Sequence, residues 1–66
     1  MNAKVEDVVC AYLMRSGKLM SQILCDKVSI TDKSILFIRN REVVCHCLLN
    51  AIEKYEYENS CIFIHA

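Results

Sequence analysis

The segment from Lys27 to Ile38 constrains this chain more than any other. Lys27-Val28-Ser29-Ile30-Thr31 alternates polar and apolar residues with a period of two, Asp32-Lys33 has turn character, and Ser34-Ile35-Leu36-Phe37-Ile38 is a buried-strand run. Two such runs joined by a short polar turn predict a β-hairpin. In its second strand Ile35 and Phe37 fall on one face and Leu36 and Ile38 on the other. Both sets are apolar, so the strand needs cover on both sides. One side belongs to the domain's own core. The other, with Leu36 and Ile38, is expected to meet a partner.

The flanking segments admit two readings each. In residues 3–25, Val5, Val8, Val9, Tyr12 and Leu13 fit a 3.6-residue period that Leu19, Met20, Ile23 and Leu24 continue, with Asn2 available as a cap. Ser16-Gly17 is a natural break, and a strand over roughly 7–14 followed by a second element over 19–25 fits equally well. In residues 40–58, a helix capped by Asn40 gathers Val44, Cys45, Leu48, Leu49, Ile52 and Tyr55 on one broad face, with His46, Asn50 and Glu53 opposite. The other reading is a strand from Glu42 to Leu49. The helix is preferred, because the apolar period holds for three turns. The tail Ser60-Cys61-Ile62-Phe63-Ile64 is short and apolar, an aggregation hazard if left as an exposed strand. The expected fold class is therefore α+β: one small domain over residues 1–66, with a central β-hairpin or short mixed sheet and one or two helices.

Size and composition turn this into a functional expectation. A domain of 66 residues buries only about 60% of its unfolded surface, and 55% of these residues are hydrophobic. That excess implies apolar surface covered by another molecule. Eight Lys and Arg balance eight Asp and Glu, so no global basic field steers the chain onto nucleic acid. Local cationic spots stand at Arg15/Lys18 and Arg39/Arg41. Lys4, Glu6 and Asp7 interrupt the opening residues, and no apolar run has the length of a membrane span; a cytosolic or nuclear protein with no membrane partner is expected.

The five cysteines are Cys10, Cys25, Cys45, Cys47 and Cys61, an odd number without any Cys-x-x-Cys pair. Buried free thiols are expected rather than disulfides. Cys45-His46-Cys47 looks rich in ligands, but neighbours in sequence point apart on a strand or a helix, so no metal site is expected. The same argument removes Cys45 or Cys47 with His46 as a catalytic pair. With no convergent nucleophile and base, no paired carboxylates and a single glycine, the chain is expected not to be an enzyme and to need no cofactor or small-molecule substrate. Arg15 and Lys18 flank Ser16-Gly17, where backbone approaches a phosphate closely, and Tyr12 precedes them as a stacking residue. Tyr55 and Tyr57, set among Glu53, Glu56 and Glu58, suit protein contact better.

One family resemblance runs along the chain. Asp7-Val8-Val9-Cys10-Ala11-Tyr12-Leu13-Met14-Arg15 falls in register with Glu-Phe-Val-Asp-Leu-Tyr-Val-Pro-Arg, the opening of the eukaryotic small-subunit ribosomal protein family numbered twenty-one. Ile23-Leu24 match that family's Ile-Ile pair, and Asp26-Lys27-Val28-Ser29-Ile30 is similar to its Asp-His-Ala-Ser-Ile. Ala51-Ile52 and Cys61-Ile62-Phe63 resemble its Ala-Ile and Ser-Ile-Leu at the same spacing. Val9, Tyr12 and Arg15 are the identities of the opening motif; Met14 stands where the family has proline. The resemblance implies a small sheet with helical C-terminal segments. It also implies a structural role in the small ribosomal subunit, packed on neighbouring ribosomal proteins and touching rRNA locally. A second resemblance, of Asp32–Phe37 and a helix from Asn40 to Glu58, is to the smallest core subunit of TFIIH (the TTDA family). It implies a transcription and repair subunit that binds one protein partner.

The expected contacts are Tyr12, Arg15 and Lys18 for rRNA, and Val8, Val9, Leu36, Ile38, Ile62, Phe63 and Ile64 for a protein partner. The ribosomal reading places the chain in the cytoplasm, the other in the nucleus.

Overall fold

The computed structural model describes residues 3–66, and over them the fold is built almost wholly of strands. In chain order these are β1 (Lys4–Asp7), β2 (Cys10–Arg15), β3 (Lys18–Ile23), β4 (Lys27–Ile30), β5 (Ser34–Arg39), β6 (Glu42–Leu48), β7 (Lys54–Glu58) and β8 (Cys61–His65). A single 3₁₀ turn, Leu49–Ala51, separates β6 from β7. The α+β expectation is thus corrected to an all-β domain, and no α-helix occurs among the described residues.

Turn chemistry explains why the strands win. Three hairpins, β2–β3, β5–β6 and β7–β8, close on two residues that both have positive φ. These pairs are Ser16 (53°) with Gly17 (75°), Asn40 (52°) with Arg41 (68°), and Asn59 (52°) with Ser60 (62°). Two left-handed residues make a turn whose twist matches that of paired strands, and Asn tolerates this conformation well. Asn40 is therefore a turn residue rather than a helix cap; the same short amide side chain suits both positions. The expected helix over 40–58 becomes β6, the 3₁₀ turn and β7. Val43 and Val44 are stiff in a helix and at home on a pleated sheet. Lys54-Tyr55-Glu56-Tyr57-Glu58 alternates with period two, a strand signal that the helical period had masked.

The hairpin expected at 27–38 is present, with Val28 opposite Phe37 and Ile30 opposite Ile35. Its turn is held by the Thr31 hydroxyl, which accepts from the Ser34 and Lys33 amides at 3.0 and 3.2 Å. Residues 3–25 take the strand reading, as β1, β2 and β3; Asn2, the expected cap, lies outside the described residues.

The strands form two four-stranded sheets. The first has order β1-β4-β5-β6, all antiparallel; the second has order β3-β2-β8-β7, with β2 and β8 parallel at its centre. Their inner faces share one core. Val28, Ile30, Ile35 and Phe37 come from the first sheet, Ala11, Ile62 and Ile64 from the second, and Val8 and Cys25 from the connections between them. Each large side chain so buried contributes about 1.5–3 kcal/mol. The chain crosses between sheets at Val8, before β4 and after β6, and the first two crossings are tied together where the Val8 amide donates to Asp26 O at 3.1 Å. The end of the chain is tied in as well, with the Ala66 amide donating to Met14 O at 2.8 Å. Among the described residues no helix is long and apolar enough to cross a membrane.

Candidate interaction surfaces

Two outer sheet faces remain, and alternation along each strand decides what they show. On the first sheet, Val5, Ser29, Leu36 and His46 stand in one cross-strand row, and Asp7, Lys27, Ile38 and Val43 in the next. Leu36 and Ile38 are half-buried, whereas Val5 is 57% and Val43 55% exposed. The face is an aliphatic band with a charged corner. At that corner the Lys27 ammonium donates to the Asp7 carboxylate at 2.8 Å, a contact that raises the lysine's pKa. A register shift opposite Phe37 and Ile38 bulges β6, which forms an open edge of this sheet and carries exposed Val44 and Leu48.

The outer face of the second sheet is aromatic and polar. Its middle row runs Gln22, Tyr12, Phe63, Glu56 across β3, β2, β8 and β7. Tyr12 and Phe63 stack, with ring centroids 5.0 Å apart and planes inclined by 22°. The Gln22 amide reaches the Tyr12 hydroxyl at 3.5 Å. Beside Phe63, His65 Nε2 lies 3.0 Å from Glu56 Oε2, which Lys54 also approaches at 3.8 Å. In the next row of the same face, two residues along β2 and β8, Cys10 and Cys61 stand side by side, their sulfurs 3.3 Å apart. Burial resists ionisation of Cys10, but hydrogen bonds from Tyr12, Cys61 and Gln22 together bring its thiol below the usual range. The Tyr12 hydroxyl is pushed up in turn, chiefly by its hydrogen bond to Cys10.

The residues expected to touch rRNA are only partly brought together. Arg15 and Lys18 face each other across the exposed tip of the β2–β3 hairpin. Tyr12 lies three residues back along β2 and so points to the opposite side of the sheet from Arg15. Its neighbour there is Phe63, which had been expected to meet protein. Of the other residues expected to meet protein, Val9 is exposed, and Leu36 and Ile38 lie on the aliphatic band. Val8, Ile62 and Ile64 do not face outward: they are 6%, 0% and 0% exposed and form part of the core. The reason is topological. The terminal apolar run is an interior strand, paired on both sides, so its alternate residues enter the sandwich and neither of its own edges is left bare.

The Cys10–Cys61 pair and the Tyr12–Phe63 stack were not foreseen. A signal for both exists in the sequence. Cys10-Ala11-Tyr12-Leu13 and Cys61-Ile62-Phe63-Ile64 repeat one pattern, which the parallel register lays side by side. Tyr55 and Tyr57, in contrast, lie on the inner side of β7, half exposed at the sheet edge, with ring centroids 6.2 Å apart. Cys45 and Cys47 share a face of β6 with His46 opposite, and no group of three or more His, Cys, Asp or Glu is placed to hold a metal ion among the described residues. Comparison with protein-family models, curated proteins and solved structures finds no match to this chain.

Proposed function

We propose that this domain is a non-catalytic part of a larger assembly, docked on a neighbouring protein through the outer face of its first sheet. One observation carries this reading: Val5, Leu36, Ile38 and Val43 share the outer face in two adjacent cross-strand rows, and among the described residues Val5 and Val43 stay more than half exposed there. Aliphatic side chains grouped this way are stabilised when a partner removes them from water. A 66-residue sandwich gains from the same event, because a partner that binds only the folded form stabilises it. In its specific form the assembly is the cytoplasmic small ribosomal subunit, with neighbouring ribosomal proteins on the aliphatic face and rRNA touched at the Arg15/Lys18 hairpin tip. The register of Val9, Tyr12 and Arg15 supports this form. The helical C-terminal segments that the resemblance implies are strands here, so the support rests on the opening motif.

Sucrose-gradient sedimentation of a lysate, probed for this chain, tests the reading. The expected result is co-migration with small subunits and monosomes, lost in a Leu36→Asp/Val43→Asp variant. Migration only in light or nuclear fractions overturns the ribosomal form. The open seven-residue edge of β6 favours a second reading, addition of a strand from one protein partner of a nuclear transcription and repair complex.

A further inference from the structure

We propose that Cys10 and Cys61 form a dithiol site that a low-molecular-weight disulfide oxidises to an intramolecular disulfide, stapling β2 to β8. The two residues are direct partners in the parallel register, with sulfurs 3.3 Å apart. Neighbouring strands lie about 4.8 Å apart, which falls inside the Cα separations that a disulfide spans. Closing the sulfurs to about 2.05 Å asks for side-chain rotation rather than movement of the backbone.

The surroundings of the two thiols differ in a way that suits a two-step exchange. Cys61 is the more accessible, half-buried at the start of β8, whereas Cys10 is 6% exposed. In the first step Cys61 loses its proton to solvent and attacks one sulfur of the small disulfide. A mixed disulfide forms and one small thiolate leaves. In the second, Cys10 loses its proton and attacks the Cys61 sulfur, releasing the second small thiolate. The protein gives up two protons and two electrons, and the small disulfide becomes two thiols. The Cys10 thiol is lowered, and the Cys61 thiol is raised by its hydrogen bond to Cys10. Greater exposure rather than acidity therefore makes Cys61 the first to react, and the lowered Cys10 suits the second step. The remaining cysteines have no such partner. Cys25 is buried, Cys47 is half-buried with its thiol pushed up by burial, and Cys45 is exposed and alone.

The staple joins positions 51 residues apart in sequence, so it removes much of the freedom of the unfolded chain. The test uses the full chain, reduced and then incubated with oxidised glutathione, acid-quenched, alkylated and mapped by mass spectrometry. The expected product is a Cys10–Cys61 linkage with the loss of two hydrogens and no retained glutathione. Its Tm lies on the order of 10 °C or more above that of the reduced chain, and a reductant reverses the change. Cys61→Ser abolishes linkage and shift together; Cys45→Ser leaves both. Glutathione retained on Cys61 while Cys10 is alkylated overturns the proposal, as does an oxidised form that melts no higher than the reduced one.

Discussion

Tyr12 rests on Phe63 although the two residues come from opposite ends of the chain, their rings 5.0 Å apart on the outer face of the second sheet. The parallel pairing of β2 with β8 puts them opposite each other, so the stack reports directly on the joining of these two strands at the centre of the second sheet. An aromatic pair of this kind contributes about 0.5–1.5 kcal/mol beyond the area it covers. A double-mutant cycle of Tyr12→Leu and Phe63→Leu, read by urea unfolding, is expected to show a coupling energy in that range. Strict additivity would mean that the rings do not support each other.

Phe37 and Leu36 are adjacent on β5 and are expected to behave oppositely. Phe37, 1% exposed, fills the space between the sheets, and Phe37→Ala should cost about 3–5 kcal/mol, a large share of the stability of a domain of this size. Leu36 lies on the outer band, and Leu36→Ala should cost less than half as much while weakening partner binding. Urea midpoints and co-sedimentation of the same variants measure the two effects.

Alkaline pH should destabilise the domain. Burial pushes the Cys25 and Cys47 thiols above their ordinary value of 9.0, so the folded state favours their neutral forms. A raised acid contributes stability that is complete below its unfolded value and is lost as pH rises towards the folded one. The Tm should therefore fall as pH climbs through and beyond 9.0, and Cys25→Ala should flatten that fall. The lowered Cys10 thiol acts in the opposite sense, and the raised Cys61 beside it offsets that contribution.

If the Arg15/Lys18 tip touches rRNA phosphates, its contribution should be electrostatic and independent of sequence. Each charge removed, as in Arg15→Gln or Lys18→Gln, should reduce the slope of log K against log salt for subunit binding by about 1. Fold stability should change by less than about 0.5 kcal/mol, because both residues are exposed at the turn. An unchanged salt slope would show that the tip faces solvent.

The β4–β5 hairpin was legible because its signals are local: alternation on one side, a polar turn, and an apolar run after it. The segment 40–58 misled because its apolar residues satisfy two periods at once, and Asn40 suits a helix cap as well as a left-handed turn. Asn59-Ser60 between Glu58 and Cys61 closes a similar turn, and the alternation of Lys54–Glu58 stood beside it, so the β7–β8 hairpin was within reach. The candidate surfaces divide in the same way. Leu36, Ile38 and the Arg15/Lys18 tip follow from strand parity and turn position, while the inward turn of Val8, Ile62 and Ile64 does not.

The sequence by itself determined the central hairpin, the excess of apolar surface for a chain this short, and the separation of His46 from Cys45 and Cys47. All three depend on near neighbours and on composition alone. Only the tertiary structure decided that β8 lies between β2 and β7, which faces turn inward, and that Cys10 meets Cys61 and Tyr12 meets Phe63. The two faces of an apolar strand are equivalent until a second sheet covers one of them. The pairing that breaks this equivalence joins residues 51 apart, a separation that no local pattern encodes.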